Sequence, residues 1–108
     1  MIIYNVTINI DTSVHDNWLT WLKTDHIPKV LATGHFSEAK LTRVLVTEDM
    51  GGITYSVQYR AHSRDALERY YKHDADKLQM EGHKKFADKM LAFRTELEVI
   101  EEFQVAPK

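Results

Sequence analysis

The sequence predicts a single α+β domain of β-α-β-β-α-β order, and three observations carry that prediction. Residues 2–10 and 53–61 alternate apolar and polar side chains with a period of two. Residues 14–22 and 67–78 place their apolar side chains at helical spacing instead. Turn-forming residues separate the segments. That order fits a ferredoxin-like split β-α-β unit, in which two crossover helices cover one face of a four-stranded antiparallel sheet.

Ile2, Tyr4, Val6, Ile8 and Ile10 fall on one face of the first strand, with Asn5, Thr7 and Asn9 on the other. Asp11, Thr12 and Ser13 are three candidate caps for the helix that follows. Val14, Trp18 and Leu22 form its inward stripe, with Trp21 beside it. Pro28 lacks an N–H and disfavours helix at Ile27, so a kink or restart is expected around Asp25–Pro28. Gly34 is suited to end this arm in the left-handed region. Residues 36–47 read as the second strand and Glu48–Gly52 as a hairpin loop. In the third strand Ile53, Tyr55, Val57, Tyr59 and Ala61 face one way, and Thr54, Ser56, Gln58 and Arg60 the other. Ser63 caps the second helix, whose apolar side carries Leu67, Tyr70, Tyr71 and Leu78. Gly82 is expected to break that helix in two. A last strand over roughly 93–103 sets Leu97, Val99 and Phe103 opposite Arg94, Glu96, Glu98 and Glu102.

Composition narrows the function classes. At 108 residues the chain has the size of one domain, spanning 1–108. Fourteen Lys and Arg against sixteen Asp and Glu give a formal charge of -2. Phosphate binding needs a concentrated positive field, so neither a nucleic-acid nor a membrane partner is expected. The absence of Cys removes disulfides, thiolate metal sites and cysteine nucleophiles together. No leader-like segment opens the sequence and no stretch approaches a membrane span, which makes cytoplasmic the expected location.

With both helices on one sheet face, Asn5, Thr7, Asn9, Thr54, Ser56, Gln58, Arg60, Arg94, Glu96 and Glu98 are expected on the uncovered face. Such a face is polar and lacks aromatics, which argues against single-stranded RNA reading. Arg60 and Arg94 are expected to pair there with Glu96 or Glu98. The element order, His26-Ile27-Pro28 late in helix one, and the closing Phe93-Arg94-Thr95-Glu96-Leu97-Glu98 resemble a family of short bacterial proteins of unknown function. That family lies in the dimeric α/β-barrel superfamily, where two ferredoxin-like subunits put their open sheet faces together. The resemblance therefore implies a homodimer. Superfamily relatives include ether-degradation-type proteins, muconolactone isomerases, antibiotic-biosynthesis-type monooxygenases and small haem-degrading enzymes. A shared fold does not choose among these activities.

His26 is the candidate catalytic residue. It follows Trp18 and Leu22 at i+4 on the inward stripe, aimed at a sheet face carrying Tyr4, Tyr55 and Tyr59. An imidazole there can act as acid, base or ligand anchor, and is expected within reach of a tyrosine hydroxyl or a pocket water. The plainer explanation is a core histidine satisfied by a neighbour. A His followed closely by Pro also resembles the ether-degradation-type relatives, where it lies near the pocket. Tyr4, Trp18, Trp21, Tyr55, Tyr59, Tyr70 and Phe86 are candidate ligand-binding residues for a flat apolar molecule, though they also suit a core. Trp21, off the stripe, is the best candidate for a pocket mouth. His73 and Asp76, three apart on a helix, could share a metal with His83 downstream, but there is no His-Glu-x-x-His pattern and no clear third ligand, so no metal is expected. The remaining histidines, His15, His35 and His62, fall at element ends, where capping suffices. The haem-degrading relatives use an Asn on strand one, a Trp on helix two and a His after it. Asn5 and His83 correspond roughly, but helix two offers Tyr70 and Tyr71 and no Trp, so no haem or other cofactor is expected. Two readings stay open, and with them whether the chain is an enzyme. One is a cofactor-free binder or enzyme centred on His26; the other is a non-catalytic homodimeric module without a ligand.

Overall fold

The computed structural model describes residues 1–46 and 51–107. Its strands are β1 (Ile2–Ile10), β2 (Phe36–Arg43), β3 (Ile53–Ala61) and β4 (Met90–Glu98), in sheet order β2-β3-β1-β4 with antiparallel pairing throughout. This is the predicted ferredoxin-like α+β fold. The period-two pattern of β1 becomes a strict alternation of buried and half-buried residues, and β3 alternates in the same way over Tyr55–Ala61. The end of β2, predicted to run to residue 47, stops at Arg43, although the Val44 N–H still donates to the Thr54 carbonyl. Most of the predicted hairpin loop lies outside the described residues.

Two helical arms cover one sheet face. The first comprises a 3-10 turn at Thr12–Val14, α1 (His15–Trp21), a π-turn at Leu22–His26, and α2 (Ile27–Ala32). Asp11 caps the 3-10 turn, its carboxylate accepting from the Ser13 N–H and hydroxyl at 2.8 and 2.6 Å. Gly34 closes the arm at φ +84°, a region in which a Cβ would be strained. The kink expected near Pro28 takes the form of the π-turn. The proline ring would crowd the Thr24 carbonyl and offers it no N–H, so the turn widens upstream and the Ile27 N–H reaches back to Leu22.

The second arm comprises α3 (Arg64–Tyr70), a π-turn at Tyr71–Ala75, and α4 (Asp76–Phe86). The Ser63 hydroxyl accepts from the Ala66 N–H, as a cap should. The break predicted at Gly82 is not there: α4 runs through it, and the irregularity falls at Tyr71–Ala75. Gly82 has a packing role. A Cβ at that position would lie 3.1 Å from the Met90 Cε and 3.3 Å from the Trp21 Cη2.

The last strand requires a correction. It begins at Met90, after a 3-10 turn at Ala87–Lys89, and ends at Glu98. Its register pairs Ile10 with Met90, Ile8 with Ala92, Val6 with Arg94 and Tyr4 with Glu96. Partners across an antiparallel pair share a face, so Arg94, Glu96 and Glu98 lie on the helix side. Leu91, Phe93, Thr95 and Leu97 lie on the open side, the reverse of the prediction. Glu96 is held at the margin, accepting from Arg64 and from the Tyr71 hydroxyl, both at 2.6 Å. Arg60 pairs with Glu38 and Glu102, not with Glu96 or Glu98. The uncovered face therefore carries an apolar stripe along its edge, with Phe93 62% and Leu91 58% exposed. It does present an aromatic residue, contrary to the expectation.

Trp18, Leu22, Val30, Val57, Ile10 and Leu67 are fully enclosed between the arms and the sheet. Toward the other end, Tyr4, Phe36, Tyr59 and Tyr70 form an aromatic cluster with ring centroids 4.9–6.1 Å apart. Among the described residues, no helix is long and apolar enough to cross a membrane.

Candidate functional site

A cavity lies between the two arms and the sheet. Trp18, Trp21, Leu22, His26 and Val30 line it from the first arm, and Tyr70, Leu78, Gln79 and Gly82 from the second. Tyr4, Val6, Ile8, Tyr59, Met90, Ala92 and Arg94 form its sheet wall. The free space is about 30 Å³, which accommodates about two waters. The stripe that placed Trp18, Leu22 and His26 together is preserved across the start of the π-turn.

Three buried polar atoms in side chains that line the cavity lack a hydrogen-bond partner among the described residues: Trp18 Nε1, Trp21 Nε1 and His26 Nδ1. Such atoms are rare in folded proteins and each costs about 1–3 kcal/mol when left unmet. The expected tyrosine partner for His26 is absent. Its ring instead stacks on Trp21, with centroids 4.8 Å apart and planes inclined by 27°. Burial is the main cause that lowers the His26 pKa to about 4, against the opposing pull of Glu81 and Asp25. The imidazole is thus neutral near pH 7. Both carboxylates are turned to Lys29, at 3.4 and 3.2 Å, in a bridge that also links the two arms.

Of the residues singled out in the sequence, Tyr4, Trp18, Trp21, Tyr59 and Tyr70 reach the cavity wall. Burial raises the pKa of all three tyrosines, so each hydroxyl keeps its proton at neutral pH. Tyr55 and Phe86 do not line the cavity. The Tyr55 hydroxyl is engaged by His15 Nε2 at 2.7 Å, and His15 Nδ1 meets Asp16 at 2.9 Å, while the Tyr55 ring packs on Trp18. Phe86 stands behind Trp21, edge to face at 5.3 Å. His15 is therefore a tie between helix and sheet, which is more than the end-capping role expected of it.

Sequence reasoning missed Arg94, Gln79 and Met90. Arg94 was assigned to the opposite face, and the polar Gln79 stood outside the apolar pattern of its helix. The i+4 spacing from Ala75 through Gln79 to His83 offered a weak signal. Asn5, the residue compared with the haem-degrading pattern, points to the open face. Its side chain there accepts from Ser56 at 2.6 Å and donates to Thr95 at 3.2 Å. His83, His73 and Asp76 are exposed on the second arm. No group of three or more metal-ligating side chains is assembled among the described residues.

The chain belongs to DUF4286, a domain family of unknown function whose model matches residues 1–100. No curated protein matches it. Among solved structures it is similar to an ethyl tert-butyl ether (EthD) family protein from Bacillus halodurans, at 18% identity and a TM-score of 0.67, covering 93% of this chain and 100% of that one. It is also similar to a dimeric ferredoxin-like protein from an uncultured marine organism, at 10% identity and a TM-score of 0.71, covering 94% and 97%. A third is a MhuD mutant with two manganese protoporphyrin IX bound per active site, at 15% identity and a TM-score of 0.66, covering 97% and 100%. At these identities the likeness shows a shared fold.

Proposed function

We propose that this chain forms a homodimer through its open sheet face and binds a small planar molecule in the cavity between its helical arms. His26 serves there as a neutral hydrogen-bond partner and proton acceptor. The observation that carries the reading is that three unpartnered buried atoms, Trp18 Nε1, Trp21 Nε1 and His26 Nδ1, belong to side chains that line the cavity. A core built only for stability would satisfy them or replace them with carbon. A ligand with acceptor oxygens meets both indole N–H groups, and the stacked Trp21–His26 pair gives it a flat surface.

Ligand pockets typically enclose about 300–1,000 Å³, so this small cavity has to widen. Two of its walls can yield. Met90 is a flexible thioether and Arg94 is a long side chain on the edge strand. The EthD-type and porphyrin-bound neighbours support the reading as examples of this fold with small-molecule associations. The porphyrin itself suits this chain poorly, because Asn5 faces away from the cavity.

The two tryptophans give a direct assay, since their indole N–H groups are the only two of their kind in the sequence. Titration with small hydroxylated and carboxylated aromatics should move both signals in an ¹H–¹⁵N spectrum, and His26→Ala should weaken the response while the rest of the spectrum is retained. No shift with any member of the panel would reject the ligand reading. The dimer is tested separately, by light scattering at micromolar concentration. A monomer mass there would reject it.

A further inference from the structure

We infer that the cavity takes its ligand as an anion, a planar carboxylate held by Arg94. The inference rests on the ligand-binding reading above and adds the chemical class of the ligand. Arg94 makes no ion pair among the described residues. Its neighbours differ: Arg60 is met by Glu38 and Glu102, and Arg64 by Glu68 and Glu96. The carboxylates nearest the cavity are already committed. Glu96 accepts from Arg64 and Tyr71, and Asp25 and Glu81 face Lys29. Arg94 is therefore a cation at the cavity wall without a direct carboxylate partner among the described residues.

The groups around it point the same way. Arg94 and Gln79 stand beside the buried Tyr4 hydroxyl, and both line the cavity with the two unpartnered indoles. Guanidinium and indole N–H groups only donate, so this wall is matched by a ligand rich in acceptors. A guanidinium presents parallel N–H bonds in a plane, the geometry a carboxylate accepts in bidentate fashion. The apolar side of the cavity, made by Val6, Leu78, Met90 and Trp21, then receives the body of the acid. Because the neutral His26 shares the cavity, an arriving anion favours its protonation, and binding should take up a proton on the acid side of neutrality.

Benzoate and its uncharged isostere benzamide separate the possibilities when titrated into the full-length protein and read at the two indole N–H signals. Benzoate should bind at least about tenfold more tightly than benzamide, as a charge-assisted hydrogen bond exceeds a neutral one. Arg94→Gln should abolish that preference while leaving the fold intact, since the side chain is exposed on an edge strand. Equal binding of the two compounds, at any affinity, overturns the anion inference and leaves the binding reading standing. A benzoate preference that survives Arg94→Gln overturns the assignment to Arg94. Inorganic phosphate displacing benzoate at equal concentration overturns the carboxylate class. Failure of both compounds to bind, when other aromatics do, also rejects it, and failure of every aromatic removes the binding reading as well.

Discussion

Acidification from about pH 7.5 to about pH 4.5 should destabilise the fold by about 2.5 kcal/mol through His26 alone. The figure follows from burial. Free histidine titrates near ~6.5, whereas His26 in the fold titrates at about 4. Below ~6.5 the unfolded chain takes up a proton that the folded chain refuses, so stability falls as pH falls and levels off below the folded value. The full gap of about 2.5 pKa units corresponds to about 3.4 kcal/mol, most of which is lost by about pH 4.5. Urea unfolding monitored by tryptophan fluorescence at several pH values measures this directly, with protein concentration held fixed because the stability of the proposed dimer would depend on it. The informative quantity is the difference between the wild type and His26→Gln. The variant should lose this component and keep the contribution of Glu96, whose hydrogen bond from Tyr71 and pairing with Arg64 lower its pKa and add stability that is lost at more acidic pH. Identical slopes in the two proteins, or a His26 pKa near the free value by NMR, would refute the argument.

Val57→Ala should cost about 2–5 kcal/mol and Gln58→Ala far less, since Val57 is 1% exposed and Gln58 lies on the open face; chemical denaturation of both variants checks it. Phe93→Glu should shift the mass seen by light scattering from dimer to monomer, by placing a charge in the apolar stripe proposed as the interface. Gly82→Ala should change stability by less than about 1 kcal/mol, because improved helix propensity offsets the contact with Met90 and Trp21. It should nevertheless weaken binding of an aromatic acid by narrowing the cavity, and unchanged affinity would show that this wall does not meet the ligand.

Where one period dominated, the sequence was readable. β1 and β3 alternate over their length because one face meets the arms and the other does not, and their bounds agree closely with the residues read as strand. The Pro28 irregularity was legible because the missing N–H and the ring clash are local properties. The second π-turn, at Tyr71–Ala75, has no proline to announce it, and Gly82 drew attention away from it. A glycine inside a helix can equally mark a break or a close approach. Its meaning here is set by Met90 and Trp21, residues distant in sequence. For the site, the stripe of Trp18, Leu22 and His26 identified one wall. The opposite wall depended on strand register, which no single strand encodes.

That register has consequences on both sides of the sheet. β4 is an edge strand only partly covered by the arms, so its helix side carries Met90, Ala92 and then Arg94, Glu96 and Glu98, an apolar start with a charged finish. Its open side carries Leu91, Phe93 and Leu97. Read alone, Phe93-Arg94-Thr95-Glu96-Leu97-Glu98 suggests that the apolar residues belong with the core, and a one-residue slip exchanges the two sets. The pairing of Val6 with Arg94 decides the matter. It puts Arg94 on the cavity side of the sheet, where the proposed anionic ligand would meet it, and Phe93 on the open side, where the proposed partner subunit would meet it. A single register thus supplies both the charge that the proposed ligand site uses and the apolar stripe that the proposed dimer buries. Phe93→Glu and Arg94→Gln, adjacent in sequence, should therefore fail differently. The first should lose assembly, and the second should lose the preference for benzoate while keeping the mass of the assembled protein. If either substitution produced both effects, the division of labour between the two faces would be wrong.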